Sequence, residues 1–151
     1  MSDMRRRIVL LVDGMHTAEL MVALDRVCAL ADAELLLVYV HGPAARRGLD
    51  LVRHRPGGAP MSGHRRRSID EAEEARGAHA LDEAERIARP LCAAVRRLDV
   101  RDDPGRGIVE VALREHADVI AVRGVAGHLG PAARFIADHA RCSVIVLRVE
   151  A

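Results

Sequence analysis

The sequence predicts a doubly wound α/β fold, with five strands in one parallel sheet and helices on both faces. Short continuous apolar runs alternate with longer stretches of helical spacing along the chain. The runs are rich in branched residues, as in strands buried on both faces. Half of the 151 residues are apolar, with one Phe, one Tyr and no Trp, so Val, Leu, Ile and Ala must fill the core of a single domain over 1–151.

Ile8 to Val12 is the first such run, ending at Asp13, and reads as a strand. Thr17 to Ala31 follows as a helix, with apolar residues at Leu20, Val22, Leu24, Val27 and Leu30 in roughly helical spacing. Glu34 to Val40 is the second strand. Residues 41–67 have no period and read as a long mobile loop, where seven arginines face one acid, Asp50. Ser68 and Glu71 have capping-box spacing, which starts a helix at Ser68 with an acidic first turn. Pro90 ends that helix near Arg89.

Arg96 to Arg101 mixes charge with apolar positions, as an edge strand does. Asp103 and Pro104 form an N-cap followed by proline at N1. Val119 to Val122 is a strand, Gly124 to Gly130 a glycine-rich turn, and Pro131 opens a helix before the last strand, Val144 to Val149. Right-handed crossovers between parallel strands put helices on both faces.

Composition narrows function. Net charge is +1, so no global field draws the protein to nucleic acid or a membrane, and base-stacking aromatics are missing. All 23 basic residues are arginine, which excludes a lysine nucleophile. Cys28, Cys92 and Cys142 lie far apart in sequence and read as reduced thiols, each filling a small core gap, in a cytoplasmic protein. The first apolar run is too short for a signal peptide core or a membrane span.

No histidine pair has metal-ligand spacing. His116 and His139 fall near helix ends, where an imidazolium favours the dipole. His128 falls inside the glycine turn, where it could donate to an anion. No serine sits in a nucleophile elbow, so no catalytic residue is assigned.

Four segments resemble the universal stress protein family over nearly the whole chain. They are Val12 to Gly14, Asp103-Pro104 with Ile108 and Ala117 to Ile120, Gly124 to Gly127, and His139 to Val146. The resemblance implies a five-stranded parallel sheet related to the adenine nucleotide alpha hydrolases. It also implies a homodimer along the last strand, Ser143 to Val149, and one branch that binds ATP beside another that does not.

In the ATP-binding branch, Gly-x-x-Gly is followed after nine residues by Gly-Ser or Gly-Thr. Glycines let backbone approach phosphate, while the hydroxyl and a helix N-terminus supply donors. Here only His128 and Leu129 separate Gly127 from Gly130, and Pro131 offers neither hydroxyl nor N–H. By resemblance, Asp13 and Val40 would contact an adenine, and Gly124, Gly127 and Gly130 a ribose or phosphate.

Asp13 serves equally as a ligand acceptor or as the cap of the next helix. The shortened loop points to a non-enzymatic regulatory protein working through an unidentified protein partner. The alternative is an ATP- or AMP-binding switch with at most slow hydrolysis, with arginines of 41–67 replacing the missing loop.

Overall fold

The computed structural model describes residues 5–12, 15–29, 32–42, 63–124 and 129–148. The strands are β1 (Arg6–Leu11), β2 (Ala33–His41), β3 (Ala94–Arg101), β4 (Val119–Gly124) and β5 (Ser143–Arg148). The helices are α1 (Thr17–Cys28), α2 (Gly63–Ala88), α3 (Pro104–Arg114) and α4 (Pro131–His139). All strand pairs are parallel, in the order β3-β2-β1-β4-β5.

Alternation along the central strands divides their side chains between two cores. Ile8, Leu10, Leu35 and Leu37 face α1 and α2, where Leu20, Leu24, Val27, Leu81 and Ala84 cover them. Val9, Leu11, Leu36 and Val38 face α3 and α4, under Ile108, Val111, Ala133 and Ile136. Helices therefore cover both faces, and the sheet is doubly wound.

The helix expected at Ser68 begins at Gly63, so Ser68 lies inside α2 and is not its N-cap. Arginine is a strong helix former, and the run Arg65 to Arg67 carries the helix back past the capping-box signal. The loop expected over 41–67 is correspondingly shorter. His41 belongs to β2 and 63–67 to α2, while 43–62 lie outside the described residues. The first helix stops at Cys28, three residues before the expected end at Ala31.

Glycine at position 77 permits a close approach. A Cβ there would sit 2.7 Å from His41 Cε1 and 2.9 Å from Tyr39 Cδ1, so α2 rests directly on two rings of β2. At the other end of the sheet, Arg7 Nε lies 3.3 Å from Glu34 Oε2 and its backbone N–H donates to Asp118 Oδ2 at 2.8 Å. Arg96 Nη1 adds contacts to Glu34 at 3.4 Å and Glu115 at 3.3 Å. This network fastens the amino ends of β1, β2 and β3 to the end of α3.

His116 takes a left-handed conformation, φ 53°. Its N–H donates to Leu113 O at 3.3 Å, and that of Ala117 donates to Ala112 O at 2.8 Å. This is a Schellman closure with histidine in the position glycine usually holds. No helix among the described residues is long and apolar enough to cross a membrane.

Candidate functional site

Parallel strands bring the carboxyl ends of β2, β1 and β4 to one edge of the sheet. The chain reverses its direction of winding between β1 and β4, the crevice where open α/β sheets bind ligands. Val12 closes the end of β1, its N–H donating to Val38 O at 2.8 Å. Val40 ends up only 8 % exposed. A Cβ on Gly107 of α3 would stand 3.2 Å from Val40 Cγ1, so glycine lets α3 close over it. Asp102 N–H donates to His41 O at 3.3 Å, which ties the ends of β2 and β3 together.

Gly124 ends β4 beside Arg148 of β5. A Cβ there would lie 2.5 Å from Val146 Cγ1, so packing alone demands a glycine. Gly130 is the N-cap of α4, and a Cβ there would meet nothing within 4 Å. The first turn of α4 has no acid, and Pro131 at N1 has no N–H to offer.

No family model matches the sequence, and no curated protein does. Solved structures match almost end to end. A universal stress family protein from Burkholderia pseudomallei is 25 % identical, with a TM-score of 0.63 over 97 % of this chain and 98 % of its own. The universal stress protein from Archaeoglobus fulgidus in complex with dAMP is 20 % identical, TM-score 0.61, covering 95 % and 98 %. A family member from Arabidopsis thaliana with AMP bound is 18 % identical, TM-score 0.66, covering 97 % and 93 %.

The fold is that of the universal stress proteins.

Of the five residues that the resemblance assigns to a nucleotide, Val40, Gly124 and Gly130 fall at the carboxyl edge or in the segment that follows it. Asp13 and Gly127 lie outside the described residues, as does His128. Gly124 packs against Val146 of β5, and no described residue stands within 4 Å of a Cβ at Gly130.

Two features of this edge escaped sequence reasoning. Arg123 Nη1, beside Gly124, donates to Glu19 Oε2 at 2.7 Å and links β4 to the first turn of α1. His41 is the second. Its ring is 10 % exposed, hydrogen-bonds Asp99 through Nε2, and holds Nδ1 4.0 Å from Glu73 Oε1. Tyr39 donates its hydroxyl to the same Glu73 oxygen at 3.1 Å and packs edge-on to His41, ring centres 4.8 Å apart. Only strand register brings Tyr39 opposite Asp99, and a one-dimensional pattern does not carry register.

Among the described residues no group of three or more His, Cys, Asp or Glu is arranged to hold a metal ion. A groove of about 300 Å³ runs between Val109, Leu113, His116, His139, Ala140 and Cys142, at the amino end of β4 and β5. It stands at the end of the sheet opposite Val40 and Gly124.

Cys142 packs on the α3–α4 face and Cys28 and Cys92 on the α1–α2 face, all three partly buried. Burial pushes the thiol pKa up at Cys142 and at Cys28.

Proposed function

We propose that this chain is a single-domain, cytoplasmic, non-enzymatic regulatory protein of the universal stress type. It works as a homodimer that meets its targets through protein contacts. The exposed β5 edge carries this reading. The strand has one sheet neighbour among the described residues, its inner run Val144 to Leu147 is entirely apolar, and Val146 is 38 % exposed. An apolar edge with free backbone groups is a template for another strand, and a two-fold axis lets it pair with its own copy. Sedimentation equilibrium at micromolar protein should give twice the chain mass of 16.4 kDa. A species of 16.4 kDa would overturn the dimer.

The neighbours with dAMP and AMP favour a second reading, an adenine-nucleotide switch. Val40 would border the base, and the amides of Ala132 and Ala133 behind Gly130 would face a phosphate. Pro131 removes two potential donors, which favours a nucleotide with a single phosphate over ATP. Calorimetric titration of AMP and then ATP with Mg²⁺ into nucleotide-stripped protein separates the readings. Micromolar AMP affinity supports the switch, and a hundredfold excess over its dissociation constant should then add about 2.7 kcal/mol of stability. No heat up to millimolar AMP or ATP rejects it.

A further inference from the structure

We propose that the groove between α3 and α4 binds a small amphiphilic carboxylate, a short hydrocarbon tail ending in one anionic group. The groove opens at the amino end of β4 and β5 and encloses about 300 Å³, at the lower end of the range that small-molecule pockets span. It stands at the opposite end of the sheet from Val40 and Gly124. The proposal therefore holds whether or not a nucleotide binds at the carboxyl edge.

The floor of the groove is hydrocarbon. Ile120 is fully buried beneath it, and Val109 and Leu113 of α3 supply one side. Ala112, Ala117 and Ala140 complete the apolar lining, and side chains so small leave the space between the helices unfilled. Leu113 is 56 % exposed, a large apolar side chain standing in solvent beside that space.

The rim is cationic. His116, His139 and Arg141 line it, and among the described residues no acid does. The side chains of His116 and Arg141 have no hydrogen-bond or ion-pair partner among the described residues. The nearby acids are engaged elsewhere or stand outside. Glu115 lies 3.3 Å from Arg96 Nη1, and Asp118 accepts the Arg7 N–H at 2.8 Å. Asp138 borders the neighbouring cavity with Arg134, not this groove. The His139 ring is held in place: Nδ1 donates to Phe135 O at 2.9 Å, and the ring stacks on that of Phe135 with centres 4.0 Å apart.

An apolar floor under a cationic rim selects a ligand divided in the same way. The planar fork of Arg141 matches both oxygens of a carboxylate, and an imidazole such as His116 has an N–H to donate in either protonation state. A nucleotide suits the groove poorly, because its base and sugar would bring polar groups onto carbon that offers them no partner.

The backbone of His116 is an independent observation. Its φ of 53° closes α3 in a conformation that glycine adopts without strain. Histidine there carries a steric cost and sets a donor beside the groove, as strained residues do where they hold ligands.

The test is titration of octanoate into the full chain, followed by amide proton–nitrogen spectra. Shifts should concentrate at residues 109–117 and 139–142, with a dissociation constant below about 1 mM. Octan-1-ol, with a similar tail and no charge, should bind about tenfold more weakly, as should octanoate to Arg141→Ala. His116→Gly should also weaken octanoate binding, while its unfolding midpoint stays level or rises, because glycine suits the left-handed position.

No shift up to about 10 mM octanoate would overturn the proposal, as would shifts centred on Val40 and Gly124. So would equal affinity for octan-1-ol, unaltered affinity in both variants, or tighter binding of AMP at the same amides. Shifts at the groove that follow protein concentration without ligand would make it an interface between copies, and would overturn it too. Should a variant fail to fold, the ligand series on the unaltered chain decides alone.

Discussion

The two edges of the sheet are built from opposite materials. β3 carries Arg96, Arg97, Asp99 and Arg101 on an eight-residue strand, and each finds an opposite charge or a polar partner. Arg97 pairs with Asp82 and lies 3.2 Å from Glu85, while Arg101 pairs with Glu74, so α2 is held down over this edge by its own acids. β5 has no charge between Ser143 and Arg148, and Val146 is open to solvent. A charged, helix-covered edge refuses a foreign strand, whereas a bare apolar edge invites one. The difference favours β5 over β3 as the surface of the proposed dimer.

The contrast breaks most completely if β5 is given the chemistry of β3. Val146→Lys should weaken self-association at least a hundredfold, about 2.7 kcal/mol, because each copy would bring a cation to an apolar seam. Sedimentation reads it, and the monomer's unfolding midpoint should hardly move. Gly77→Val attacks the other side. The new side chain would collide with the His41 and Tyr39 rings, costing about 1–3 kcal/mol in urea unfolding with no change in mass in solution.

Arg97→Ala should cost at most about 1 kcal/mol, since exposed pairs contribute little each. A larger loss would mean that the border acts as one network. The smallest effect is in acid. Arg86 holds Glu83, and Arg89 with Arg97 holds Glu85, below the ordinary carboxylate value of 4.5. Folding favours their ionised forms, so this stability is present at neutral pH and is lost as pH falls below about 4.5 through the depressed values. Urea midpoints at pH 7 and pH 3 should differ less in a Glu83→Gln, Glu85→Gln double variant.

The strands were legible because Ile8 to Val12, Leu35 to Val40, Val119 to Val122 and Val144 to Leu147 are unbroken apolar runs, short and bounded as buried strands are. The charged pattern of Arg96 to Arg101 announced an edge, and Pro104 and Pro131 fixed two helix starts. Position across the sheet was hidden. The His41–Asp99 bond and the need for glycine at 77 both join residues far apart in sequence. Such contacts follow from register and crossover, which periodicity does not encode. The α2 start was misplaced because a local capping signal at Ser68 competed with the helix propensity of the arginines before it. At the candidate site, the motif letters at Gly124 and Gly130 were readable, but packing against Val146 had no trace in the sequence around Gly124.

The strand order has one more consequence, for the chain as it is made. β1 is synthesised first and ends at the centre of the sheet, between β2 and β4. Its partnership with β2 forms early, but Ile8, Val9 and Leu10 wait for Val119, Ile120 and Ala121 until β4 has left the ribosome. Throughout that interval the central strand of the sheet shows one unpaired flank. The nascent chain is therefore most prone to cross-pairing with its siblings just before β4 emerges.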